Sequence, residues 1–166
     1  MPETAETPIA KSTLSDLLTI EHSASIFFSY ARETQLSQLF QDKDAGTTLL
    51  VPTNKAVMAL ARKPHQGPAP LEDKIEISEQ EFDTRSKENV QRWVSLHIIP
   101  QSPIPLISHT YPTLVDGKNV TFAEIDGEAS SPEWSRVLVN GESRIIQEKQ
   151  AVNGVFYLID GTIKDE

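Results

Sequence analysis

Residues 47–57 read TTLLVPTNKAV, and this stretch restricts the fold more than any other. Thr47, Thr48, Leu49, Leu50 and Val51 are β-branched or apolar throughout, so a strand built from them has no face to leave in water. It must be buried on both sides. Pro52 has no amide hydrogen for a neighbouring strand and disfavours the α region for the residue before it, which ends the ladder there. Thr53 then caps a helix on which Val57, Leu60 and Ala61 fall at i, i+3 and i+4, one apolar stripe facing back toward the strand. Corners of this kind sometimes carry nucleophiles, so the rest of the chain has to decide what this one does.

Residues 1–11 are polar and proline-bearing and read as a frayed tail, with one domain over 12–166. Thr13 with Asp16 resembles a capping box, and Leu14, Leu17 and Leu18 form a helical stripe that Ile20 extends. Phe27, Tyr30, Ala31 and Thr34 mark a second helix and Leu36, Leu39 and Phe40 a short third one. Residues 62–85 combine prolines with charges and no sustained period, which reads as a long surface loop with an extended piece at 74–77. Ser86 is expected to cap a helix bearing Val90, Trp93, Val94 and His97 on one stripe, and Pro100, Pro103 and Pro105 stop it. Beyond His109 the period becomes two, and NVTFAEI, SRVLVN, SRIIQEKQAV and GVFYLIDG form a β-meander. Asn140-Gly141 and Asn153-Gly154 are turn pairs expected to have positive φ at both residues. The last strand is apolar on both faces and should be central, with Asp160-Gly161 ending it.

At 166 residues the chain is long enough to bury roughly 70% of its unfolded surface, so it needs no covalent staple. A net charge of −9 repels nucleic-acid backbones and anionic membranes at long range. No apolar run reaches the roughly 18 residues of a membrane helix, and residues 1–10 lack the basic and apolar regions of a signal peptide. The absence of cysteine excludes disulfides, thiolate metal sites and cysteine nucleophiles, and leaves the compartment open.

Three ordered blocks resemble the signatures of fasciclin-like (FAS1) domains: TTLLVPTNKAV, WVSLHIIP and QAVNGVFYLIDGTI. Together they extend across residues 13–163. The resemblance implies an α+β fold, a β-wedge or sandwich with a cluster of helices on one side. It also implies secreted or surface proteins that act in adhesion and matrix binding, and the long 62–85 region is more like fungal members. On this reading Thr53, Asn54, Asn153, Gly154 and Asp160 are structural motif residues. Where animal members carry Tyr-His, a pair tied to integrin-dependent adhesion, this chain has Leu96-His97, and Arg-Gly-Asp is absent, so the integrin role does not transfer.

His97 has two readings. It belongs to a partner-binding patch with Leu96, Ile98 and Ile99, or it is a core histidine whose ring bonds a helix-end carbonyl or nearby hydroxyl. Asn54 is expected to satisfy loose backbone groups at the corner. His22, His65 and His109 have no zinc-ligand spacing, and the acids at 72–83 lack an Asp-x-Asp-x-Asp-Gly loop, so no metal or cofactor is expected. Paired carboxylates for glycoside chemistry sit at no motif that would bring them together. Gly-x-Ser-x-Gly and a phosphate loop are both missing from the corner, which is therefore architectural rather than catalytic. Asn119-Val120-Thr121 is an N-glycosylation sequon, and Trp134 is either a contact residue or a cover for the core edge.

Two functional readings follow. The first is a non-catalytic adhesion module of the secretory route, at the cell surface, in the matrix or in the vacuole, with a protein or glycan partner. The second is a small enzyme or small-ligand carrier. A filled core with an exposed aliphatic patch at 96–99 would favour the first; a concave apolar pocket of several hundred Å³ with converging polar groups would favour the second.

Overall fold

A computed structural model describes residues 12–67, 77–128 and 130–165. The tail at 1–11 lies outside them. The chain opens with helices α1 (Leu14–Ile20), α2 (Ser25–Arg32) and α3 (Ser37–Gln41). Thr13 and Asp16 form the expected reciprocal cap, and Leu14, Leu17 and Leu18 face the core. Ile20 does not extend that stripe; it points to solvent at 69% exposure, because the helix ends there and the chain turns away. Thr34 likewise falls past the end of α2.

β1 (Thr47–Pro52) follows, then α4 (Asn54–Met58), capped by the Thr53 hydroxyl on the Ala56 amide. α5 spans Glu79–Leu96, eight residues longer at its start than a Ser86 cap would allow, so residues 79–85 of the expected surface loop are helical. Ser78 is the cap, accepting from the Glu81 amide, with Glu79 and Glu81 favourably placed in the first turn. Residues 80–85 are all exposed, so no apolar period announced this part of the helix. Of the extended piece expected at 74–77, residues 74–76 lie outside the described residues and Ile77 is irregular.

The strands are β2 (Ile98–Ile99), β3 (His109–Pro112), β4 (Asn119–Glu124), β5 (Val137–Val139), β6 (Ser143–Ala151) and β7 (Gly154–Ile159). One sheet runs in the order β2-β1-β7-β6-β5-β4-β3. β3 to β7 form the antiparallel meander, and β1 lies parallel to β7 from Thr47 opposite Gly154 to Pro52 opposite Ile159. The last strand is thus flanked on both sides. The Leu114 amide bonds the Ile98 carbonyl, so the sheet curls until the segment after β3 meets β2.

This curl creates two cores, and β1 and β7 divide them. Leu49, Val51, Phe156 and Leu158 face the helices with Leu14, Leu18, Phe27, Phe40 and Val94. Leu50, Tyr157 and Ile159 face the inside of the curl with Val120, Phe122, Val139 and Ile163. Period-two alternation between two apolar layers explains why neither strand has a polar face.

Candidate functional site

The polar residues of the signature segments bond the backbone of distant segments. Asn54 accepts from the Ile26 amide at 2.8 Å and donates to the His22 carbonyl at 2.9 Å, joining the start of α4 to the start of α2. The side chain thereby satisfies the Ile26 amide, one of the free donors in the first turn of α2, and adds a second donor to the His22 carbonyl, which also accepts from the Ser25 amide.

Asn153 differs from expectation. The two-residue turn between β6 and β7 is Val152-Asn153, and Gly154 is already the first residue of β7. Asn153 has no positive φ. Its buried side chain accepts from the Leu14 amide at 2.9 Å and donates to the carbonyls of Phe40 and Asp42 at 2.9 and 3.0 Å. One amide thereby ties α1 and α3 to the sheet. Gly154 has φ +153°, and a Cβ there would overlap the backbone carbonyl oxygen of Thr47 outright. Asp160, exposed at the far end of β7, accepts from the Arg144 amide and closes the β6–β7 ladder.

His97 ends α5. Its Nδ1 lies 2.7 Å from the Trp93 carbonyl, and its Nε2 accepts from the Ile163 amide at 3.0 Å, which assigns the proton to Nδ1. The ring is fully buried beside Phe27 and Trp93. Burial pushes its pKa down to about 4, partly countered by the bond to the Trp93 carbonyl. His97 is neutral at pH 7. It holds the C-terminal segment against the helix end, which is the core-histidine reading.

The Leu96–Ile99 patch has to be corrected. Leu96, His97, Ile98 and Ile99 are all buried, at 2% exposure or less. The β2 edge pairs with β1, and its two isoleucines pass one into each core, so an aliphatic run that reads as a surface patch is interior. Asn119, by contrast, is exposed at the head of β4, and Trp134 covers the edge of the inner core. Asn54, His97 and Asp160 each bond a separate part of the fold and line no common cleft. Among the described residues no group of three His, Asp or Glu is placed to hold a metal ion.

The structure also shows a groove that no local spacing could reveal. It opens between α5, the Pro64–Gln66 turn and residues 162–165, with a volume of about 430 Å³. Leu60, Pro64, Trp93, Leu96 and Ile163 form its apolar lining, and Arg62, Lys63, Arg92, Lys164 and Asp165 its charged rim. Arg92 pairs with Asp165, which also meets Lys118, and the Arg92 hydrogen bond holds the Asp165 carboxyl below its ordinary range. Of the two opposed tests, then, the core is filled but the patch is not exposed, and a concave site of several hundred Å³ is present elsewhere.

The chain is matched by the family model for the fasciclin domain over residues 22–165. A FAS1 domain-containing protein of Neurospora crassa is 30% identical over 155 residues, covering 89% of this chain and 63% of its own length. One of Emericella nidulans is 29% identical over 155 residues, covering 91% and 61%. Another, of Aspergillus fumigatus, is 36% identical over 97 residues, covering 56% and 42%. The chain thus spans between 42% and 63% of the length of these relatives. In fold it is similar to a FAS1 domain pair from the insect cell adhesion molecule Fasciclin I, with a TM-score of 0.62 at 13% identity over 99% of this chain and 58% of that one. A family match over most of the chain, joined to the curled sheet with its helical cap, shows that the chain belongs to the fasciclin (FAS1) domain family.

Proposed function

We propose that this chain is a non-catalytic binding module of the secretory route, acting in adhesion at the cell surface, in the matrix or in the vacuole toward a protein or glycan. The observation that carries this reading is the internal use of the signature polar groups. Asn54, His97, Asn153 and Asp160 each bond backbone of another segment, which makes them fold determinants rather than reacting groups. The relation to a domain pair of an insect cell adhesion molecule supports the adhesive role. The net charge of −9 disfavours nucleic acid, and among the described residues no helix is long and apolar enough to cross a membrane. The exposed Asn119 sequon supports passage through the secretory route.

Mass spectrometry of the protein recovered from its own host, combined with a cell-attachment assay, tests this. The expected result is chain in the secreted, wall or vacuolar fraction with hexosamine on Asn119, and attachment that falls when the gene is deleted. Unglycosylated cytosolic chain with attachment unchanged would refute the reading.

A further inference from the structure

We propose that the groove between α5, the Pro64–Gln66 turn and residues 162–165 binds a small amphipathic carboxylate, one carboxyl group on an apolar body of about ten carbons. This is independent of the adhesive reading. Its volume of about 430 Å³ lies within the range of small-molecule sites, and its lining combines an indole and three aliphatic side chains with a few charged groups at the rim.

The charge of that rim names the ligand. Acids outnumber bases 24 to 15 in the whole chain, yet the groove gathers Arg62, Lys63, Arg92 and Lys164 against Asp165. Asp165 is engaged by Arg92, and Lys164 by Glu142. Arg62 and Lys63 face no carboxylate among the described residues. The Arg62 guanidinium bonds the carbonyls of Gly67 and Gln66 through Nε and one terminal nitrogen, which leaves donors over. The Lys63 ammonium bonds the carbonyls of Met58 and Leu60 and keeps one more hydrogen. Both cations are thus fixed in place by backbone while still able to bind an anion, which is preorganisation for a charge-assisted bond. A polyanion would meet the repulsion of the net −9 charge at distance. A monoanion joined to an apolar body feels only a single charge's share of that repulsion and gains the two local cations and the Trp93 surface.

The test uses Trp134→Phe protein, in which Trp93 is the remaining tryptophan and lines the groove. Decanoate, kept below its micelle concentration, should change Trp93 emission saturably, with decanol and acetate each about tenfold weaker. Arg62→Gln with Lys63→Gln should weaken decanoate about tenfold and leave decanol unchanged. Because Lys63 also holds the end of α4, amide NMR shifts of the wild-type chain serve as the second measurement, and they should cluster at 60–67, 89–96 and 162–165. Equal binding of decanol and decanoate, absence of saturation, or shifts elsewhere would overturn the proposal. So would a concentration-dependent dimer or an acidic aliphatic peptide that binds the same residues more tightly than decanoate.

Discussion

Asn140-Gly141 and Asn153-Gly154 are the same dipeptide at the two ends of β6, and their surroundings differ in almost every respect. At the first pair both residues have positive φ, 52° and 72°, and a Cβ on Gly141 would meet nothing within 4 Å. The exposed Asn140 side chain bonds the Thr121 amide of the adjacent strand. At the second pair Asn153 is buried and bonded to the start of α1 and the end of α3, while Gly154 stands against the backbone of β1. One pair needs glycine for the shape of a turn, the other for the approach of two strands. The difference shows that a dipeptide preferred in hairpins can also be a helix-to-sheet fastener, and that its role depends on what the fold brings alongside.

Gly154→Ala is where this contrast should appear most strongly. The methyl has to displace the β1 backbone, and we expect a loss of about 4 kcal/mol or more, read as aggregation or as collapse of the thermal transition. A melting temperature within a few degrees of wild type would show that β1 and β7 do not pack so closely. Next is Asn153→Ala, which leaves the Leu14 amide and two carbonyls without their partner and should cost about 3 kcal/mol in denaturant unfolding. A loss no larger than that of an exposed turn residue would erase the distinction drawn above.

His97 extends the comparison to the second buried polar anchor. The folded chain holds the ring neutral down to about pH 4, whereas an unfolded histidine takes up its proton near 6.5. Between those values the unfolded state binds more protons, so stability is complete above pH 6.5 and falls as pH drops toward 4. The loss is about 3 kcal/mol at most, and His97→Ala should lose about 2 kcal/mol at pH 7 and flatten the slope. A wild-type chain equally stable at pH 4.5 and 7 would contradict the buried neutral ring. The smallest effect belongs to Gly141→Ala, about 1 kcal/mol from the positive φ alone, since the space around it is open. A loss there equal to that of Gly154→Ala would remove the contrast between the pairs.

Much of the fold was legible because its signals are local. The corner at Pro52, the Thr13 cap, the stripe of Val90, Val94 and His97, and the four strands of the meander all rest on side-chain period or on backbone restrictions within a few residues. The first two turns of α5 were not legible, because residues 79–85 are exposed and so carry no apolar period. Ile98 and Ile99 misled for the opposite reason: two residues are too short to show alternation, and only pairing with β1 reveals that both are interior.

Local chemistry alone determined that TTLLV and VFYLI had to be covered on both faces, since neither has a polar side to leave in water. It also determined that a helix had to follow Pro52, because capping and the loss of a ladder donor act within a few residues. The tertiary structure alone decided where Asn153, His97 and Asn54 find their partners, at Leu14, Ile163 and Ile26. A side-chain amide or an imidazole has the same bonding capacity wherever it stands in a sequence. Only the packing of helices onto the curled sheet brings partners more than 60 residues away within 3 Å, as it does for Asn153 and His97.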